Sequence, residues 1–191
     1  MSMKRVRLIL TQAICFLIFL SMASAARPAR ETLQWGQPVG GVQMSLASTD
    51  SNLQVALRNI GDRDVTLNLG AMMANGKVQL PSNISFNFTD AQGKTRLFKF
   101  ADKRYPGVAG RLDDYIVPLR AGSTYTLQFT LDQSWCDETR EFFIKLLPGK
   151  NYLTARFEGT DAKLVSLDMP AIKLMNFWLG RVESNTLLLE R

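Results

Sequence analysis

The sequence predicts an all-β fold in which antiparallel sheets pack face to face as a sandwich, and three observations predict it. Apolar and polar residues alternate with a period of two in segment after segment, the pattern of strands with one buried face. Clusters of Gly, Pro, Asn and Asp divide those segments at short intervals. No run of helical periodicity alternates with the strand-like runs, which argues against a parallel sheet with crossover helices.

The first 25 residues stand apart from this pattern. Lys4, Arg5 and Arg7 precede the apolar stretch Leu8–Leu20, and Ala23-Ser24-Ala25 follows as a small-x-small site. This is the layout of a secretory signal peptide, and its apolar core is shorter than the roughly 20 residues a membrane span needs. The expected division is therefore a signal peptide at 1–25 and one domain at 26–191, exported to the periplasm or beyond the cell, without a membrane span after cleavage. Cleavage removes three basic residues and no acidic ones, so the formal charge of +6 falls to +3. A charge this small, without a basic cluster, gives no support for nucleic-acid binding.

Strands are expected where the alternation is clear. Val42, Met44 and Leu46 mark the first; Leu53, Val55 and Leu57 the second; Val65, Leu67 and Leu69 the third. Asn59 to Asp64, with Gly61-Asp62 at its tip, reads as a hairpin connection between the second and third. Ile84, Phe86 and Phe88 give the clearest strand, which Asp90-Ala91-Gln92-Gly93-Lys94 turns into Thr95–Phe100. Tyr115–Leu119 is a short strand containing Pro118, which makes it an edge strand or a strand end. Tyr125, Leu127, Phe129 and Leu131 alternate after the turn at Arg120–Ser123. Ser134–Leu147 is read as a short helix, from Phe143, Leu146 and Leu147 on one face, followed by an extended piece. Tyr152–Phe157, Val165–Met169 and Phe177–Leu189 complete the set, with Gly180 marking a bulge or a close backbone approach.

Four pieces carry a resemblance to a known class. They are Trp35-Gly36 with Pro38 and Gly41-Val42-Gln43; Leu57-Arg58-Asn59 with Gly61-Asp62; Pro148-Gly149-Lys150 with Tyr152 and Ala155; and Trp178-x-Gly180 with Ser184-Asn185. Together they resemble the immunoglobulin-like β-sandwich domains of exported bacterial proteins. The resemblance implies an immunoglobulin-like sandwich over most of residues 33–190. The rhythm Asn-x-Gly-Asp and Pro-Gly-x-x-Tyr is also similar to small bacterial proteinase-inhibitor-like sandwich domains.

Chemistry-bearing residues are few. The chain has no histidine, which removes the Ser-His-Asp and Cys-His nucleophile systems and His-ligated metal sites. With Cys15 in the leader, Cys136 is the single cysteine of the exported chain. It is read as a small, partly buried hydrophobe, with an intermolecular disulfide as the alternative. Asp62, Asp64, Asp113, Asp114, Asp132, Asp137 and Glu138 fall at expected turns, where aspartate bonds its own backbone. Asn83-Ile84-Ser85 and Asn87-Phe88-Thr89 fit the glycosylation acceptor pattern.

Of the tryptophans, Trp178 and Trp35 are expected in the packing and Trp135 nearer the surface. The long irregular stretch from Ala101 to Asp114 carries Lys103, Arg104, Tyr105 and Arg111. Loops of that length on a rigid scaffold carry binding function. The candidate binding surface is therefore Arg104, Tyr105, Arg111 and Trp135. No residue is assigned a catalytic, cofactor-binding or metal-ligating role, and no cofactor is expected. The functional expectation is a non-enzymatic binding module for another protein or a surface polysaccharide. A carbohydrate-binding domain using Trp135 and a proteinase-inhibitor-like protein are the alternatives.

Overall fold

Phe86, Phe88, Phe98, Phe129 and Phe157 are each at most 4% exposed, and their alternation with polar residues fixes which face of every strand turns inward. The computed structural model describes residues 33–49, 52–101, 110–162 and 176–191. The signal peptide expected at 1–25, Cys15, Lys103, Arg104, Tyr105 and the strand expected at Val165–Met169 lie outside these residues.

Among the described residues twelve strands follow in chain order: β1 (Val42–Thr49), β2 (Asn52–Asn59), β3 (Val65–Met73), β4 (Gln79–Leu80), β5 (Ile84–Thr89), β6 (Thr95–Phe100), β7 (Leu112–Leu119), β8 (Thr124–Phe129), β9 (Ser134–Cys136), β10 (Glu141–Phe142), β11 (Lys150–Gly159) and β12 (Gly180–Glu190). They pair antiparallel in three sheets, ordered β1-β2-β8, β10-β9-β6-β5-β11-β12 and β4-β3-β7. The described residues contain no helix. One apolar cluster draws side chains from all three sheets. Phe129 of β8 lies 4.8 Å from Phe86 of β5 and 4.9 Å from Phe100 of β6 between ring centres, which places those two sheets face to face. The all-β, antiparallel expectation holds, with three hydrogen-bonded sheets in place of two.

Four expectations change. The Asn59–Asp64 connection is a crossover and not a hairpin, because β2 and β3 belong to different sheets. Asn59 holds it: its Nδ2 donates to the Arg63 and Leu119 carbonyls, and its Oδ1 accepts from Gly61 N–H. The turn at Arg120–Ser123 is likewise a crossover, and Ala121 N–H donates across to Asp64 Oδ1.

The expected helix at Ser134–Leu147 is replaced by the small hairpin β9–β10. Arg140 and Phe143 take left-handed backbone, φ 54° and 71°, which a right-handed helix cannot contain. Asp113 and Asp114 are strand residues of β7 and not turn residues, since the strand starts at Leu112. Leu131 lies beyond the end of β8, in the turn before β9. Pro118 does sit on an edge strand, as among the described residues β7 pairs on one side only, with β3.

The β11–β12 ladder shows why the C-terminal motif has its residues. Its register shifts between Thr154 and Arg156. The Ala155 N–H that loses its ladder partner there donates to Ser184 Oγ. At the far end Gly159 pairs with Gly180. A Cβ on Gly159 would stand 2.4 Å from Trp178 Cε3, and one on Gly180 would stand 2.8 Å from Trp178 Cζ2. Gly180 is thus a close approach, and the bulge lies further along its own strand, where Ser184 and Asn185 both stand opposite Ala155. Trp178, 5% exposed, stacks on Phe157 at 5.5 Å and donates from Nε1 to the Val39 and Gly40 carbonyls.

Candidate functional site: the outer face of the six-stranded sheet

Directly opposed residues in a sheet share a face, so the register gives the outer surface of the six-stranded sheet row by row. The first row runs Thr95, Thr89, Tyr152, Leu188 across β6, β5, β11 and β12. The second runs Leu97, Asn87, Thr154, Thr186. The third is longest: Phe142, Trp135, Lys99, Ser85, Arg156, Glu183, from β10 to β12. These side chains point away from the core because Phe86, Phe88, Leu153, Phe157 and Val182, of opposite parity, are buried.

The middle of this face carries small hydroxyl and amide groups, Ser85, Asn87, Thr154 and Thr186, with Leu97 and Lys99 beside them on β6 and Arg156 on β11. Thr89 and Thr95 join their hydroxyls at 2.8 Å, and Thr154 and Thr186 join theirs at 3.1 Å. Each such pair uses one O–H hydrogen, leaving the second hydroxyl hydrogen and unused lone pairs for other partners. Leu97, Tyr152 and Leu188 are 42–45% exposed.

At the opposite corner Trp135 is half-buried, its ring 4.7 Å from that of Phe142 and inclined at 58°. Its indole N–H donates to Asp137 Oδ1 at 2.7 Å, and Lys99 Nζ donates to Asp137 Oδ2 at 2.8 Å. The ammonium, followed by the indole N–H, holds the Asp137 carboxyl below its ordinary range. Arg156 pairs with Glu183 at 2.9 Å, and Arg181 with Glu158 at 3.4 Å.

The four sequence-derived candidates do not form one surface among the described residues. Arg104 and Tyr105 lie outside them. Arg111 immediately precedes β7, pairs with Asp113 at 3.3 Å, and accepts from Ala74 N–H through its carbonyl. It belongs beside the turn between β3 and β4, whereas Trp135 stands on the six-stranded sheet. Trp135 is the candidate that reaches the outer face. Sequence reasoning missed Tyr152, Leu97 and Leu188, and the row register was the missing signal.

The remaining candidates find structural partners. Cys136 is fully buried, which leaves its thiol no route to a disulfide between folded chains. Asp114, 7% exposed, accepts from Asn68 Nδ2. Asn83 spends its amide on the Asn68 carbonyl and on Thr160 Oγ1, so a glycan there would break both bonds. Asn87 faces outward in the second row. Trp35 lies beneath the Arg58 guanidinium, 4.2 Å from its ring centre.

A cleft of about 180 Å³ lies between residues 77–81, Phe100, Ala101 and Gln133. That is smaller than the several hundred Å³ of most small-molecule sites. Its lining residues include no carboxylate. Among the described residues no group of three or more Asp, Glu or Cys side chains is placed to hold a metal ion. No helix among them is long and apolar enough to cross a membrane. Comparison with protein-family models, with curated proteins and with solved structures returned no match.

Proposed function

We propose that this protein is an exported, non-enzymatic binding module, and that the outer face of its six-stranded sheet is its working surface. The basic-apolar-small order of residues 1–25 supports export. The sandwich of antiparallel sheets, together with the Trp35, Asn59, Pro148 and Trp178 motifs, supports an immunoglobulin-like domain. The observation that carries the reading is the outer face itself. Its three aligned rows hold exposed Tyr152, Leu97 and Leu188, half-buried Trp135, and a centre of hydroxyl and amide groups. Beside the charged Lys99, Arg156 and Glu183 of its third row, this face presents aromatic, aliphatic and hydroxyl groups that can contact a partner closely.

Hydroxyl-radical footprinting tests the reading. The full chain is mixed with cell-envelope and secreted fractions of its host, and oxidation of Trp135, Tyr152, Leu97 and Leu188 is compared with that of Val39, Ile60 and Leu179, which are also exposed. Selective protection of the first group is expected. Equal oxidation of both groups, with and without the fractions, sinks the proposal. A parallel thermal scan gives an affinity: a ligand held only by the native state adds about 2.7 kcal/mol at a hundredfold excess over its dissociation constant.

A further inference from the structure

We infer that the ligand of this face is an extended, uncharged polysaccharide lying diagonally from Trp135 to Tyr152; the inference rests on the binding-module reading above. Three observations select this chemistry over other polymers.

The first is the arrangement of polarity. A protein–protein interface has an apolar, aromatic centre and a polar rim, with serine depleted. Here the order is reversed. Ser85, Asn87 and Thr154 occupy the centre, beside Leu97 and Lys99 of β6, and Trp135 and Tyr152 stand at the margins. Hydroxyls and a carboxamide both donate and accept, which is the complement of a surface of sugar hydroxyls. Flat aromatic rings at the ends suit the apolar faces of pyranose rings.

The second is charge. Three cations of this face are ion-paired, Lys99 with Asp137, Arg156 with Glu183 and Arg181 with Glu158, and a fourth, Lys150, stands directly opposite Glu190 in the ladder. No unbalanced positive field remains among them to attract a nucleic acid or an acidic polymer.

The third is length. Trp135 is three strands from Tyr152, and their rows are four residues apart along β6. Strand spacing and rise put the two rings about 20 Å apart. That span needs several linked sugar rings, and no small molecule bridges it. Between the two rings a chain would cross Lys99 and Leu97 on β6 and then Asn87 and Thr89 on β5, with Ser85 and Thr154 flanking it, and the hydroxyl hydrogens and lone pairs not used within the threonine pairs would face it.

The test is affinity electrophoresis of the full chain through gels containing neutral polymers (xylan, mannan, β-glucan, galactan) or anionic ones (alginate, pectate). Retention by at least one neutral polymer is expected, unchanged by about 0.5 M NaCl, where exposed charge interactions are screened. Trp135→Ala and Tyr152→Ala should each weaken it at least tenfold. Because Trp135→Ala removes packing on Phe142, Thr154→Val serves as a second probe that keeps shape and removes one hydroxyl; a loss of several-fold is expected there with an unchanged melting point.

Failure of all neutral polymers to retard the chain overturns the inference. So does retardation that survives both aromatic substitutions, or binding confined to anionic polymers and abolished by salt. If the neutral polymers fail while the footprint still protects this face, the glycan is wrong and the binding surface stands. If the footprint is also flat, both fall.

Discussion

At the scale of the residue, asparagine does much of the joining. Asn185 presents Oδ1 to Leu46 N–H at 2.8 Å and Nδ2 to Leu46 C=O at 2.9 Å, so one carboxamide stands in for a strand's peptide group between β12 and the edge of β1. Asn151 donates to the Leu147, Gly149 and Leu189 carbonyls and locks the Pro148 turn against the C-terminal strand. Removing such a group leaves backbone polar atoms without partners, at a cost of about 1–3 kcal/mol. Asn185→Ala should therefore lower unfolding free energy by that amount in a urea titration, and Asn185→Asp should not restore it, because a carboxylate cannot donate.

Two titratable groups give further tests at this scale. Burial, followed by the hydrogen bond to Tyr115, pushes the Tyr125 phenol above its ordinary value of 10.0. A raised folded-state pKa contributes stability that is intact below the unfolded value and is lost as pH rises past it. Urea midpoints should therefore fall above pH 10, and less steeply in Tyr125→Phe. Asp137 has the opposite sign. Its carboxyl stays ionised below the ordinary aspartate value, so its contribution is complete above that value, declines as pH falls below it and is gone once the folded-state carboxyl takes up its proton. Because its partner is the Trp135 indole, tryptophan emission should change with a midpoint under 3.8, and that step should be missing in Asp137→Asn.

At the scale of the element, β5 and the β11–β12 pair organise the rest. β5 reads Ile-Ser-Phe-Asn-Phe-Thr, with its apolar residues fully buried and its polar ones on the outer face. Phe86 touches both Phe100 and Phe129, and so joins its own sheet to β8. Phe86→Ala should cost about 3–5 kcal/mol, read as a lower denaturant midpoint. The Gly159–Gly180 pair is a different kind of requirement. A methyl group at Gly159 would also come within 2.2 Å of the Trp178 carbonyl oxygen, which is backbone and cannot move aside cheaply. Gly159→Ala should expel Trp178 from its seat, with a red-shifted tryptophan emission in the native protein as the readout.

At the scale of the whole molecule, three sheets share one apolar cluster, so no sheet has a core of its own. Unfolding should then be a single cooperative event, with far-ultraviolet circular dichroism and tryptophan emission tracing the same urea transition. Two separated transitions would mean that one sheet is stable alone.

Strand positions were legible in the sequence because a half-buried strand writes its burial directly into a period of two. Ile84-Phe86-Phe88, Leu53-Val55-Leu57 and the turn at Asp90–Lys94 all occur where that pattern puts them. The β9–β10 hairpin was not legible, because its few residues carry no full period and two left-handed residues give their apolar side chains a helix-like spacing. Of the candidate site, Trp135 was readable as an aromatic near the surface, and Asn87 as a polar strand residue. Their assembly with Tyr152 and Leu188 was not, because those residues are far apart in the chain. Sequence by itself determined the strands, the turns and the inward face of each, since these depend on local propensity and alternation. Tertiary structure alone decided which strands are neighbours and hence which outward residues share a surface, because pairing and register arise from long-range hydrogen bonds that no local pattern encodes.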